Sequence, residues 1–176
     1  RNTPEGIEVR VHPMLIPERH PLASVNDSFN AVFVHGDAVD DAMFYGRGAG
    51  ELPTASAVVG DIFDIARNLQ YECCGRISCT CYKQLPIKAM DDICSKYFLR
   101  MLVENEPGVL AAVTAVFGDR KVSIEQIIQK KKIGELPEIV VITEKVKERH
   151  VKDSLKAFEE MTAVKKVSSV IRVYGE

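Results

Sequence analysis

Residues 97–118, with the sequence YFLRMLVENEPGVLAAVTAVFG, contain the pattern that decides the fold of the second half of the chain. Apolar residues dominate Tyr97–Val103, which predicts a strand. The segment from Glu104 to Gly108 contains a proline and a glycine, which predicts a turn. Apolar side chains then recur at helical spacing from Val109 to Phe117 and stop at Gly118, which predicts a helix.

The pattern downstream of this stretch adds two strands, a helix and a closing strand. Val122–Gln129 and Glu138–Thr143 are predicted strands, and a second helical stripe is formed by Val151, Leu155, Phe158 and Met161. Val167–Tyr174 is the last predicted strand. The order βαββαβ predicts a ferredoxin-like domain with both helices on one face of its sheet. The other face and the edge strands remain for a partner, which favours a symmetric dimer.

The first 69 residues have a different organisation. Three predicted strands come first: Ile7–Val11, Asn30–His35 and Ala42–Tyr45. Three prolines between residues 13 and 21 are expected to break any regular element there. A helical stripe follows Pro53 and ends at Leu69. The chain is therefore expected to be α+β, with a partial mixed sheet-and-helix domain before the ferredoxin-like one.

Residues 70–96 show no sustained period and are predicted to be a linker between residues 1–69 and 97–176. All five cysteines lie in this linker: Cys73, Cys74, Cys79, Cys81 and Cys94. Their number is odd and no secretion signal accompanies them, so reduced thiols in a cytoplasmic protein are expected rather than disulfides. Their spacing does not match paired zinc knuckles, so no metal site is predicted, although a metal-binding module stays a third hypothesis.

The composition limits the possible partners. The chain has 176 residues, a net charge of −2 and 46% hydrophobic residues, which suits two small domains. The near-neutral charge gives no reason to expect nucleic acid, and the apolar runs are too short to span a membrane. The start at Arg1 has neither a methionine nor an apolar signal region, so we expect a boundary there with sequence missing upstream.

A glycine-rich turn over residues 46–50 joins the third predicted strand to the first helix. Glycines allow positive φ and close approach of the backbone, and a helix start attracts anions or the polar edge of a cofactor. The dinucleotide fingerprint Gly-x-Gly-x-x-Gly fails here, because Glu51 or Pro53 stands where its last glycine belongs. On spacing alone, a tight connection without a ligand is the favoured interpretation.

Four motifs in order closely resemble the C-terminal part of the homoserine dehydrogenase catalytic domain. They are His12-Pro13-Met14-Leu15-Ile16-Pro17, His20-Pro21-Leu22-Ala23, Tyr45-Gly46-Arg47-Gly48-Ala49-Gly50 and Pro53-Thr54-Ala55. In that family the glycine turn reaches the nicotinamide side of the NAD(P) site. The resemblance therefore implies Gly50, with Gly48 beside it, as cofactor contacts.

The same resemblance implies that the catalytic residues lie elsewhere. In the family, a dinucleotide-binding domain, a catalytic lysine and the acidic residues that hold homoserine precede this region, and nothing in residues 1–69 matches them. We therefore expect a fragment that does not catalyse hydride transfer by itself. His20 matches a histidine of the family's substrate domain, but the sequence does not decide whether it contributes to catalysis.

The turn over residues 104–110 suits an amino-acid ligand, because a helix start can hold a carboxylate and Asn105 offers a donor and an acceptor. On spacing alone, a helix cap by Asn105 is the better interpretation. In its βαββαβ frame, the segment resembles an ACT domain, a family whose members pair side by side and bind amino-acid effectors. The family more commonly has aspartate at the position of Asn105. The effector contacts that the resemblance implies are Asn105, Gly108, Val109, Leu110 and Gln129.

These observations predict a piece of homoserine dehydrogenase, whose full form interconverts L-homoserine and L-aspartate 4-semialdehyde with NAD(P). Its ACT domain would bind an amino acid, with threonine expected, and homodimers would form through ACT and catalytic-domain surfaces. The alternative is a stand-alone ACT-type sensor without catalytic activity. The glycine turn argues against that alternative, because a sensor has no need of a turn shaped for a cofactor.

Overall fold

A computed structural model describes residues 1–73, 84–130 and 136–175. Ten strands and three α-helices lie in these residues: β1 (Asn2–Thr3), β2 (Gly6–Ile7), β3 (Met14–Leu15), β4 (Phe29–Gly36), β5 (Asp40–Arg47), α1 (Glu51–Gln70), β6 (Cys94–Val103), α2 (Val109–Asp119), β7 (Ile124–Lys130), β8 (Glu138–Thr143), β9 (Val146–Lys147), α3 (Glu148–Glu160) and β10 (Val164–Val173). Two short 3₁₀ helices span Pro21–Ser24 and Met90–Asp92.

The chain folds as two compact units that do not follow the predicted division. One unit combines residues 1–16 with residues 85–176, and the other contains residues 17–84. The first sixteen residues thus pack with the C-terminal domain, although they precede the hairpin and the helix in sequence. The predicted boundaries at 69/70 and 96/97 stay a prediction about sequence domains.

The larger unit is built on a sheet with the strand order β3-β10-β6-β8-β7. Neighbouring strands are antiparallel, except that β3 pairs in parallel with β10. Strands β6, β7, β8 and β10 with helices α2 and α3 give the βαββαβ order, so the predicted ferredoxin-like arrangement is confirmed. The short β9 pairs with the start of β6.

The core of this unit lies on the face of the sheet that the two helices cover. Alternate residues of β6 are buried from Ser95 to Val103, and those of β8 from Ile139 to Thr143, as expected for strands with one covered face. Helices α2 and α3 add buried apolar side chains to the same core. The rings of Phe117 and Phe158 meet edge to face with centroids 5.0 Å apart.

The smaller unit contains the hairpin β4–β5 and the helix α1. The hairpin pairs all eight residues of each strand, from Phe29 opposite Arg47 to Gly36 opposite Asp40. The predicted strands and helix of this region are thus confirmed, with α1 running from Glu51 to Gln70. No residue of α1 is buried, although its helical stripe predicted a covered face.

The predicted strand Ile7–Val11 is wrong. Only Ile7 lies in a strand: it pairs with Asn2 in the short β1–β2 ladder, and its backbone N–H and carbonyl bind Pro86 and Lys88 in a bridge to Ile87. Val9 and Val11 are exposed, so the alternation reflects no half-buried face. Conversely, Met14–Leu15 forms a strand among prolines that were expected to break regular structure. The edge of β10 supplies the ladder partner that local propensity does not reveal.

Two further observations concern the linker cysteines and membrane spans. Cys73 and Cys94 are exposed free thiols, while Cys74, Cys79 and Cys81 lie outside the described residues. Within residues 1–73, 84–130 and 136–175, no three histidine, cysteine or acidic residues gather as a metal site would require. None of the helices in these segments has the length and apolar character needed to cross a membrane.

Candidate functional site

The loop after β6 is held by its backbone on both sides. The N–H of Val103 donates to the carbonyl of Pro137 over 3.0 Å, and the N–H of Glu104 donates to the carbonyl of Ala163 over 2.9 Å. The Glu104 carboxylate also meets the Lys165 ammonium at 2.6 Å. The loop that carries Asn105 therefore starts from a defined position between β8 and β10.

Helix α2 begins immediately after this loop without a side-chain cap. Gly108 is the N-cap residue, and its φ of +89° lies in the left-handed region that favours glycine. Asn105 makes no cap hydrogen bond and is exposed, so the interpretation of this residue as a helix cap is wrong. The first amides of α2, including that of Leu110, are left without a capping side chain, as an anion site at a helix start requires.

The strand register brings Gln129 to the same end of the sheet. Gln129 lies opposite Ile139 on β8, and Leu102 lies opposite Glu138, so Gln129 is two strand spacings, or about 10 Å, from the end of β6. Residues directly opposite each other share a face, and Ile139 is buried under the helices. Gln129 thus projects on the face where α2 begins, consistent with a shared site. A basic run of three lysines follows Gln129, and its Lys131 and Lys132 lie outside the described residues.

The glycine turn of the smaller unit has two glycines with different structural reasons. A Cβ at Gly48 would lie 2.7 Å from Cγ of Asn30 and still closer to its amide nitrogen. The chain's own Asn30 therefore explains why glycine stands at position 48. Gly50 is the N-cap of α1 with a φ of +125°, and no side chain caps the helix. Of the two glycines, Gly50 is thus the one whose backbone is open to a ligand.

Aromatic and cationic side chains brace the strands beside the turn. The rings of Phe29 and Tyr45 stack with centroids 4.8 Å apart, and the Arg47 guanidinium lies 5.0 Å from the Phe29 centroid. Such contacts restrain the hairpin end from which the turn starts. The sequence analysis did not single out Phe29, Asn30 or Arg47 as functional, because only the hairpin register brings residues 29–30 beside residues 45–48.

His20 has a structural environment in the smaller unit. It is the N-cap residue of the 3₁₀ helix Pro21–Ser24, and its Nδ1 accepts a hydrogen bond from the N–H of Leu22 over 3.2 Å. Its ring lies 4.9 Å from that of Phe33. These contacts account for its position in the fold.

A buried polar cluster of Tyr97, Glu148 and Arg172 was missed by the sequence analysis. Arg172 donates from Nη2 to both Glu148 carboxylate oxygens, at 2.6 and 2.7 Å, and the Tyr97 hydroxyl donates to the same carboxylate. Tyr97 and Glu148 are only 2% and 8% exposed. The three residues come from β6, α3 and β10, and no sequence spacing connects them.

The charge state of this cluster follows from its contacts. Burial by itself raises the pKa of the Glu148 carboxyl, but hydrogen bonds from Arg172 and Tyr97 outweigh it and hold the pKa below the usual 4.5. Burial, and then the bond to Glu148, raise the pKa of the Tyr97 hydroxyl. At neutral pH the cluster is therefore an ion pair bonded to a neutral tyrosine.

Comparisons with known proteins match the two parts of the chain separately. Residues 2–63 match the family model described as homoserine dehydrogenase, and residues 97–162 match the model of the ACT domain. The homoserine dehydrogenase of Neisseria gonorrhoeae is 42% identical over 98% of this chain and 41% of its own length. That of Bacillus subtilis is 40% identical over 96% of this chain and 40% of its own length.

A solved structure gives the same result for the fold. The crystal structure of a homoserine dehydrogenase from Thiobacillus denitrificans matches 99% of this chain and 40% of its own chain, with a TM-score of 0.85 and 36% sequence identity. The chain thus spans about two fifths of the length of the relatives that it matches. The chain is thus similar to homoserine dehydrogenases over nearly its whole length and to ACT domains in its C-terminal part, which confirms both resemblances.

Proposed function

We propose that this chain, as a member of the homoserine dehydrogenase family, serves the NAD(P)-dependent interconversion of L-homoserine and L-aspartate 4-semialdehyde. The observation that carries the proposal is the match to homoserine dehydrogenases over nearly the whole chain, at about 40% identity. Because the chain spans about two fifths of those relatives, the reaction would need the rest of a catalytic domain.

The residues of the glycine turn fit a role at the cofactor. Gly50 combines a positive φ with an uncapped helix start, which suits close approach of a nicotinamide nucleotide to the backbone. NAD(P), when bound in the whole enzyme, supplies the hydride acceptor or donor. Gly50 would contribute a backbone contact that positions this group, while Asn30 occupies the space beside Gly48 and keeps the turn in shape.

Exposed apolar side chains support the need for a larger catalytic domain. Seven large apolar residues of α1 are exposed by about half or more: Leu52, Val58, Val59, Ile62, Phe63, Ile65 and Leu69. A helix with a wide apolar stripe normally buries that stripe against other protein. We therefore expect no NAD(P)H oxidation by the purified chain with L-aspartate 4-semialdehyde. A measurable turnover would contradict this part of the proposal.

The ACT domain is proposed to bind a small amino acid, with threonine as the first candidate. The uncapped amides of α2 would hold the carboxylate, and Gly108, Val109 and Leu110 would line it. The exposed amide oxygens of Asn105 and Gln129 would accept from the ammonium group. What supports the proposal is the common end and common face of the sheet on which these residues lie.

Calorimetry of the chain with each amino acid of the aspartate pathway tests this site. Threonine is expected to release or absorb heat, and Gln129→Ala is expected to weaken the affinity at least several-fold. Gln126→Ala is a matched control, because Gln126 lies on the same strand but opposite Ile142, on the face away from the helices. No heat with any of these amino acids would remove the sensor assignment.

A homodimer is the proposed assembly, and the uncovered face of the ACT sheet supports it. Four half-buried apolar residues lie on that face, namely Phe98, Leu102, Val140 and Ile142, with the exposed Ile128 beside them. Sedimentation of the chain would show a dimer that Ile128→Lys weakens. A monomer at every concentration would count against it. A stand-alone sensor remains the second candidate, and the exposed stripe of α1 is what disfavours it.

A further inference from the structure

Residues 1–16 are joined to the ACT sheet by contacts of Arg10, Met14 and Leu15. The Tyr174 N–H donates to the Leu15 carbonyl over 2.7 Å, and Met14–Leu15 pairs with Arg172–Val173. Farther upstream, Arg10 donates from Nη1 to the Ser95 hydroxyl over 2.6 Å. Residues 2–63 match the homoserine dehydrogenase model, so a segment of that match is a strand of the ACT sheet.

Arg172 stands where this segment meets the buried polar cluster. On the sheet it pairs with Met14 on one side and with Tyr97 on the other. Its side chain makes the ion pair with Glu148, and its guanidinium carbon lies 5.6 Å from the centroid of the Tyr97 ring. A paired and mostly buried charge resists displacement, because moving it would leave Glu148 without its partner. The end of β10 is therefore held firmly.

The other end of β10 begins at the loop proposed to bind the effector. The carbonyl of Ala163 accepts from the N–H of Glu104, and Val164 lies opposite Val103. Between the two ends, β10 shifts register against β6 twice, between Val164 and Lys166 and between Val167 and Ser169. Such bulges bend a strand and increase its local twist.

We propose that β10 couples the effector loop to residues 1–16, so that a bound amino acid strengthens the pairing of Met14–Leu15 with Arg172–Val173. The inference rests on the proposed function of the ACT domain. Only Ile16 separates this pair from Pro17, the first residue of the unit with the glycine turn. The effector would thereby restrain the entry of the chain into the catalytic unit. Arg172 is a positioning residue in this scheme.

Amide hydrogen exchange on the whole 176-residue chain tests the coupling directly, with L-threonine as the probe. Saturating threonine is expected to slow exchange of the Tyr174 amide by about fivefold or more, the usual lower range for coupled sites. The Tyr71 amide, which donates to the Arg67 carbonyl at the end of α1 in the other unit, is the internal control, because it exchanges through local opening and should not change. If calorimetry shows binding but Tyr174 exchange is unchanged, the coupling is refuted while the sensor proposal stands.

A pair of variants tests the reciprocal effect. Tyr174→Pro removes the N–H that binds Leu15, whereas Tyr174→Ala removes the side chain and keeps that donor. Linkage requires that Tyr174→Pro lower the threonine affinity by the same factor that threonine slows exchange, with Tyr174→Ala close to the unmodified chain. Equal affinities of both variants would overturn the coupling. No heat with threonine in the unmodified chain would overturn the sensor assignment and the coupling together.

Discussion

The two compact units differ in burial far more than in the clarity of their sequence patterns. Among the described residues from Ile93 to Val164, fifteen hydrophobic residues and Pro137 are buried, whereas no residue from 17 to 73 is. Yet the apolar residues of α1 recur at helical spacing as regularly as those of α2. The comparison teaches that a pattern predicts an element, while burial depends on the surface available to cover it.

The difference in burial also predicts different stabilities for the two units. A two-stranded hairpin with one uncovered helix has little buried area with which to offset the entropy of ordering the chain. The ACT unit has a closed core on one sheet face. The units should therefore respond differently to equivalent substitutions.

The largest contrast is expected between two phenylalanines. Phe158→Ala empties a fully buried site against Phe117 and should lower the free energy of unfolding of the ACT unit by about 3–5 kcal/mol. Phe63→Ala removes a ring that is 60% exposed, and should change the free energy of unfolding of its own unit by less than about 0.5 kcal/mol. Urea unfolding followed by circular dichroism measures both. Similar losses would erase the proposed distinction between the units.

The buried ion pair is expected to give the next largest effect. Arg172→Ala leaves the Glu148 carboxylate mostly buried with only the Tyr97 hydroxyl, and should cost roughly 2–3 kcal/mol of unfolding free energy. Arg172→Lys keeps the charge but loses the two-pronged contact, so a smaller loss is expected. Urea unfolding of the two Arg172 variants measures both losses of unfolding free energy. An unchanged midpoint for Arg172→Ala would show that the cluster contributes nothing to the sheet.

The pH dependence of unfolding sharpens the comparison further. Because the folded-state pKa of Glu148 lies below its usual 4.5, its contribution is present above pH 4.5 and is lost as the pH falls through the folded-state value. Urea midpoints at pH 6 and pH 3 should therefore differ less in Glu148→Gln than in the unmodified chain. Glu159→Gln, an exposed position on the same helix, is the control. Identical pH profiles for all three chains would contradict the assignment.

The smallest expected effects lie in the uncovered unit. Gly48→Ala forces Asn30 to move and should cost about 1–2 kcal/mol of local stability at the turn. Gly60→Ala places a methyl group in open space within α1 and should favour that helix by about 1 kcal/mol. Amide exchange over residues 29–70 would register both changes. Faster exchange in Gly60→Ala than in Gly48→Ala would reverse the prediction.

The sequence was sufficient for most elements, because periodicity and turn residues act locally. It predicted both helices and all four main strands of the ACT domain, together with the hairpin and α1. It did not reveal that Met14–Leu15 joins β10, since that pairing spans more than 150 residues and its short strand lies among prolines. Nor did it reveal the cluster of Tyr97, Glu148 and Arg172, which only the strand register and the start of α3 bring together.

The predicted site residues divide in the same way. Gly108 and Gly50 could be singled out because a backbone position with positive φ favours glycine, and a glycine is visible in the sequence. The structural reason for the glycine at position 48 could not be predicted, because it depends on the side chain of Asn30 across the hairpin. The uncapped state of α2 was also not predictable, since Asn105 is a residue type that commonly caps helices.

Native-state hydrogen exchange across the unliganded chain distinguishes an ACT unit that is stable by itself and includes residues 1–16 from a second unit that needs further protein to cover it. The amides of β6, β8, α2 and α3 are expected to exchange only through global unfolding, and the Tyr174 amide to be protected as well, through a local opening that separates Met14–Leu15 from β10. Those of β4, β5 and α1 should exchange through local opening at far lower free energy. Equal protection over residues 29–70 and 94–173, or an unprotected Tyr174, would contradict the account.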